Sequence, residues 1–199
     1  MPLVLYNEHI NSMNIEIIAG SPRKNSVTQR LAIFLKNYLS THTAHQVQII
    51  DVKDWEIGLL QQVFTSEEHA PEHLKPLAKR MFAADAFILV TPEYNGSYSA
   101  ALQNLLDHFP KQTHKPFGIV TASTGALGGM RSAQQLLLLV AALFGIASPY
   151  LLVTPFVDQK FSAEGELLDP AFQKNIDIFI KEFLWLAESL HPEQVTSYN

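Results

Sequence analysis

The sequence predicts an α/β domain, a doubly wound five-stranded parallel sheet with helices on both faces. Two observations predict it. Short β-branched or wholly apolar runs alternate with segments of helical apolar periodicity, strand then helix, five times in succession. Parallel neighbours need crossover connections, and the intervening helical segments supply them in right-handed βαβ units. No repeat, low-complexity tract or linker interrupts this order over residues 14–190, so a single domain is expected there. Residues 1–13 are expected to be an N-terminal extension, and 191–199 a C-terminal tail.

The elements follow in order. The run NIEIIA, residues 14–19, is β-branched and stops at Gly20, which marks a first strand. Ser26 can cap the helix that follows, in which Leu31, Phe34, Leu35, Tyr38 and Leu39 recur at helical spacing. QVQIIDV, 46–52, is the second strand. Residues 55–64 read as a loop with a helical turn, and 71–84 as a helix with Leu74, Leu77, Ala78 and Met81 on one side. AFILVT, 86–91, is a buried third strand. A helix over 99–109, a strand over 117–122, a leucine-rich helix over 131–144 and a strand over 150–153 come next. A turn-rich connection at 164–170 leads to a last helix, 171–190, which packs Ile176, Phe179, Ile180, Phe183, Leu184 and Leu186.

Composition narrows the chemistry. The 199 residues include no cysteine, which excludes thiol nucleophiles, disulfides, thiolate zinc sites and cysteine-ligated iron–sulfur clusters. Any redox role must therefore use a borrowed cofactor. Fourteen basic against nineteen acidic side chains leave a net charge of −5, which argues against a nucleic-acid-binding surface. The first twelve residues lack the basic start, long apolar core and cleavage site of a secretory signal. Residues 136–157 carry no charge over the length of a membrane span, but Gly145 and Pro149 divide them into a helical half and a strand, as a buried core requires. No membrane partner and a cytoplasmic location are expected.

In doubly wound sheets ligands bind at the carboxyl ends of the strands. Three loops there are unusual. After the first strand, Ser21, Arg23, Ser26 and Thr28 lie in Gly20-Ser21-Pro22-Arg23-Lys24-Asn25-Ser26-Val27-Thr28, which runs into a helix N-terminus. Hydroxyls, backbone N–H groups, the helix dipole and a guanidinium suit a phosphate monoester, although the same residues also suit an ordinary capped turn. The spacing is neither GxxxxGK[ST] nor GxGxxG. After the third strand, Pro92, Glu93, Tyr94, Asn95, Gly96 and Ser97 form a tight loop that can present backbone groups and an aromatic wall to a flat heterocycle. After the fourth, Ser123, Gly125, Gly128 and Gly129 permit close backbone approach.

Together GSPRKNS, TPEYNGS and STGALGG, in that order and strand context, resemble the NADPH-dependent FMN reductase family. These are flavodoxin-like flavoproteins that include azo, quinone and chromate reductases. PEYN is the specific motif of the three. The resemblance implies non-covalent FMN, with Ser21, Arg23, Ser26 and Thr28 near its phosphate. Residues Pro92 to Ser97 would lie along the isoalloxazine edge, and Ser123, Gly125 and Gly128 around the remaining side. It further implies NADPH or NADH as co-substrate, a small-molecule electron acceptor, a ping-pong cycle, and assembly as a homodimer or homotetramer. No side chain is expected to be catalytic, because FMN carries the chemistry. The sequence departs from the family's usual PEYNxSxPGxLKNxIDW with Ser99, Ala100, Gln103 and His108, departures that bear on assembly and the pocket rim.

Other constellations are weaker. Asp107-His108 has no GxSxG partner, and His69, Glu72 and His73 lack the HExxH spacing and read as a solvated face. His42 and His45 read as solvent-exposed, Trp55 and Trp185 as core or interface packing, and the leucine stripe of 131–144 as core. A flavodoxin-like electron carrier or a non-catalytic FMN-binding module are the alternatives. The carrier's usual TxTGxT loop and strongly acidic surface are not found.

Overall fold

A computed structural model describes residues 12–191. Strand β1 (Asn14–Ala19) pairs on one side with β2 (Gln46–Asp51) and on the other with β3 (Ala86–Thr91), which pairs in turn with β4 (Pro116–Ala122). Two short strands, β5 (Ile146–Ala147) and β6 (Leu152–Thr154), share the far side of β4. All pairings are parallel. The spatial order is 2-1-3-4 with β5 and β6 together in fifth place, so the winding reverses between β1 and β3.

The single strand expected at 150–153 is thus two pieces. Pro116 pairs with Ile146 at an offset of 30, whereas Val120 pairs with Leu152 at an offset of 32, so two extra residues bulge out between β5 and β6. The Ser148 N–H still reaches the Phe117 carbonyl at 2.8 Å. Pro149, the next residue, has no N–H to give, and the ladder breaks there.

Helices α1 (Val27–His42) and α6 (Gln173–Leu190) cover one face, where Leu31, Leu35, Phe179 and Phe183 pack on Ile15, Ile17 and Val120. Helices α2 (Lys75–Ala83), α3 (Ala100–Asp107) and α4 (Met130–Ala142) cover the other, with Leu77, Leu102, Leu105 and Leu136 on Ile18, Phe87 and Ile119. Every residue of β3 and β4 is consequently buried, the condition of a parallel sheet covered on both faces. The helix expected from 71 starts as a 3₁₀ turn, Glu72–Leu74, and becomes α-helical only at Lys75. A short α5 (Val157–Lys160), unforeseen from sequence, is held against α1 by Arg30, which donates to the Phe161 carbonyl at 3.0 Å.

Among the described residues no helix is long and apolar enough to cross a membrane, and residues 136–157 divide among α4, β5 and β6 as their punctuation indicates. His45 corrects the sequence reading. It is buried, accepts from the Met13 N–H at 3.4 Å and stands 3.5 Å from a Glu188 carboxylate oxygen, because β1, β2 and the end of α6 close around it. The leucine stripe of α4 is core only in part, since Leu137 and Leu138 are exposed. Trp185 is exposed, which excludes the core alternative of the two. Most of the expected extension and tail, residues 1–11 and 192–199, lies outside the described residues.

Candidate active site

The three loops meet at the carboxyl edge of the sheet. The Ser21 hydroxyl stands 3.4 Å from the Tyr94 hydroxyl, and the Arg23 guanidinium lies over the Tyr94 ring at 4.8 Å from its centroid. Tyr94 therefore joins the loop after β1 to the loop after β3, with a cation–π contact that keeps Arg23 on the same side.

The loop after β3 is a two-residue hairpin. Tyr94 and Ser97 exchange backbone hydrogen bonds of 2.8 and 3.1 Å, with Asn95 and Gly96 both at positive φ, 52° and 82°. This is the I′ geometry that an Asn-Gly dipeptide favours, because both central residues must be left-handed. It holds the Tyr94–Ser97 backbone in one conformation while Asn95 stays exposed.

Beneath the loops runs a buried polar network that the sequence reading missed. Ser99 is fully buried; its hydroxyl donates to the Gly20 carbonyl and accepts from the Leu102 N–H at 3.0 Å, capping α3. The Ser99 N–H donates to the Thr91 hydroxyl at 3.2 Å, and that hydroxyl donates to the Pro92 carbonyl at 3.1 Å. The same carbonyl accepts from Ser132 of α4 at 3.3 Å. One chain of hydrogen bonds thus ties the first loop, the third-strand loop and α4 together. The only signal in the sequence was the serine standing where the family commonly has proline.

Glu93 does not face open solvent. Its carboxylate accepts from the Arg131 N–H at 3.2 Å and pairs with the Arg131 guanidinium at 3.4 Å, so it satisfies one of the unpaired N–H groups that open α4. At α1 the situation is reversed. Ser26 is the N-cap residue, yet its side chain makes no cap bond, and the first turn holds no acidic residue. Asp51, a buried carboxylate at the end of β2, is occupied by Gln29 at 2.7 Å and by Lys53. Of these two helix N-termini, α4 is already served by a carboxylate and α1 is open to an anion.

The fourth-strand loop separates into two parts. Gly128 and Gly129 are buried at φ of 60° and 88°, and a Cβ on Gly128 would come within 2.7 Å of the Pro155 nitrogen and of Val153. Packing against β6 therefore requires glycine at 128. Ser123 is fixed by its hydroxyl, which accepts from the Gly125 N–H at 3.0 Å, while Gly125 itself is exposed near the tip. Thr28 is buried in the first turn of α1, Ser97 is half-buried, and Pro92 is buried with its carbonyl in the network. Tyr98, just beyond, has its phenol pushed above the ordinary tyrosine range, first by burial and then by the nearby Asp107 carboxylate. Among the described residues no cluster of three or more metal-ligating side chains occurs; His69 lies in a turn with Thr65, and His73 in a separate 3₁₀ turn.

The open α1 terminus with Ser21, Ser26 and Arg23 fits a phosphate, and the rigid hairpin beside it fits the edge of a planar ring. Fold and loops together define a flavodoxin-like protein with a site for a phosphate-bearing heterocycle. The family model for NADPH-dependent FMN reductases matches residues 13–156, and the chain belongs to that family. It is accordingly an oxidoreductase enzyme, of a family that works with FMN and NAD(P)H. An FMN-dependent NADPH-azoreductase of Staphylococcus aureus is 32% identical over 174 residues, spanning 84% of this chain and 92% of that protein. Among solved structures, FerB, a flavoenzyme NAD(P)H:(acceptor) oxidoreductase from Paracoccus denitrificans, superposes with a TM-score of 0.73 at 20% identity, covering 89% of this chain and 98% of FerB. The apo form of the NADH:FMN oxidoreductase EMOB superposes at 0.67 and 19% identity, covering 93% and 94%. At these identities the two structures speak for the fold.

Proposed function

We propose that this chain, with residues 14–190 as its working unit, passes hydride from NAD(P)H to a small acceptor by way of non-covalent FMN, in a ping-pong cycle. The observation that carries the reading is the unequal treatment of two helix N-termini. Glu93 fills that of α4, whereas that of α1 has neither a Ser26 cap bond nor an acidic residue, which leaves its N–H groups and Ser26 for the phosphate, with Ser21 and Arg23 held beside them by Tyr94. When bound, FMN supplies the hydride-accepting and hydride-donating chemistry that no side chain here offers. The Tyr94–Ser97 hairpin presents backbone N–H and C=O groups in a fixed geometry to the ring edge, and Tyr94 walls one side. Ser123 and Gly125 border the other. NAD(P)H and acceptor share the exposed edge, so one leaves before the other enters.

A second copy of the chain is proposed to cover the apolar outer face of α4, where Leu138 is 66% exposed beside Leu137, completing a homodimer or homotetramer. The acceptor class is that of azo compounds, quinones and similar small oxidants, with no nucleic-acid or membrane partner and a cytoplasmic location.

The test is the absorbance spectrum of the purified protein before and after anaerobic NADPH, followed by initial rates with azo, quinone and ferric acceptors. Bound FMN that bleaches, and parallel double-reciprocal lines, support the reading. A protein that takes up FMN but oxidises no NADPH with any acceptor would be the binding module instead. Light scattering reads the assembly.

A further inference from the structure

Away from the three loops, residues 56–64 arch over the carboxyl-terminal half of α3. The arch is pinned at both ends. Asn104 donates to the Gly58 carbonyl at 2.9 Å, and the Phe64 N–H donates to the His108 carbonyl at 2.8 Å. Under it lies a hollow of about 210 Å³, walled by Phe64, Leu74 and His108, with Leu59, 84% exposed, at its mouth. The hollow sits at the opposite end of α3 from Ser99, about 12 Å along the helix.

His108 gives the hollow its chemistry. The residue is only 5% exposed, and its ring lies 5.3 Å from that of Phe64. Nδ1 stands 2.7 Å from the Asn104 carbonyl, an atom that can only accept, so Nδ1 carries a proton. In the neutral ring Nε2 is then a bare acceptor, and among the described residues it meets no partner. An acceptor that no protein group engages, on the wall of a mostly apolar open hollow, suits a ligand that brings one donor and is otherwise apolar.

We propose that this hollow binds an aromatic molecule of one or two rings carrying an O–H or N–H group, with His108 Nε2 accepting that hydrogen. At about 210 Å³, against the roughly 150 Å³ cavity that holds a benzene, the hollow suits one ring or two fused rings. Resting on the function proposed above, the class coincides with reduced acceptors. Hydroquinones and aromatic amines carry such donors, whereas quinones and azo compounds present acceptors to the same nitrogen. The hollow therefore selects product over substrate.

The test uses the FMN-loaded protein without NADPH, so its outcome does not depend on turnover. 2-Naphthol is titrated by calorimetry, with the FMN spectrum followed in parallel, and 2-methoxynaphthalene serves as the ring without a donor. Saturable one-site binding of 2-naphthol is expected, with 2-methoxynaphthalene at least tenfold weaker and the FMN spectrum unchanged. His108→Phe keeps the ring and removes the acceptor; it should weaken 2-naphthol at least tenfold and leave FMN content and NADPH oxidation as in the wild type. Absence of saturable binding overturns the proposal, as does equal affinity for the two naphthalenes, which needs no variant to measure. A long-wavelength band growing on the FMN spectrum during the titration puts the ligand on the cofactor and also overturns it.

Discussion

Ser99→Ala isolates the network beneath the loops. The hydroxyl has two roles, as the N-cap of α3 and as the partner of the Gly20 carbonyl. Loss of a serine cap costs about 1 kcal/mol. A buried carbonyl left without its donor costs roughly 1–3 kcal/mol more, and Ser99 is fully buried, so no solvent replaces it. The sum, about 2–4 kcal/mol, lowers the melting temperature by roughly 5–12 °C in a chain of this size. Because Gly20 opens the loop proposed for the phosphate, the dissociation constant of FMN should also rise about tenfold, equivalent to ~1.4 kcal/mol. Differential scanning fluorimetry and quenching of FMN fluorescence measure the two effects. Ser99→Thr retains the hydroxyl and should recover most of both. Ser99→Pro is the sharper control. The φ of Ser99 is −69°, already that of proline, so the backbone accepts the change, yet both the hydroxyl and the N–H to Thr91 are lost. It should fall at least as far as alanine. A melting temperature within about 2 °C of wild type for Ser99→Ala would refute the claim that this hydroxyl braces the loops.

The two kinds of glycine in the fourth-strand loop should separate cleanly. Gly128→Ala, forced to a φ of 60° against Pro155 and Val153, should cost roughly 2–4 kcal/mol, whereas Gly125→Ala, whose Cβ meets only the Ser123 hydroxyl at 3.4 Å, should stay within about 0.5 kcal/mol by thermal or urea denaturation. Gly96→Ala, at a φ of 82° in the hairpin, should lower stability by about 1 kcal/mol and weaken FMN more than it weakens the fold, read as a larger change in FMN fluorescence quenching than in melting temperature. Tyr98 gives a pH signature. Its folded-state phenol is raised above the unfolded value near 10, so the stability linked to its proton is complete below about pH 10 and is lost as pH rises through the folded value. Tyr98→Phe should therefore be less stable than wild type at neutral pH, by the lost bond to Gln103, and the gap should narrow above about pH 10 in a melting-temperature series; a gap that widens there contradicts the assignment.

The parts of this molecule that were legible in the sequence are those whose cause is local. The alternation of β-branched runs and helical stripes is a property of consecutive residues, and it gave the sheet order its raw material. Asn95-Gly96 is an I′ turn signal on its own, and Ser26 before a helix is a cap position on its own. What escaped was long-range pairing. Glu93 reads as a free carboxylate beside a proposed ring site until Arg131, thirty-eight residues later, is seen to take it. Ser99 was visible as a departure, but its partner Gly20 lies seventy-nine residues earlier. His45 was misread for the same reason, since its polar neighbours in sequence are not its neighbours in space. Gly125 and Gly128 look alike in STGALGG, and only the approach of β6 separates an exposed position from a packing one. The pattern has a consequence for the site itself. A motif records which residues are present, but not which are already engaged; in sequence the loop after β1 suits a phosphate and an ordinary capped turn alike, and the missing Ser26 cap bond is what favours the first. In a cofactor site built from backbone groups on several loops, the groups left unpaired by the fold carry the functional information.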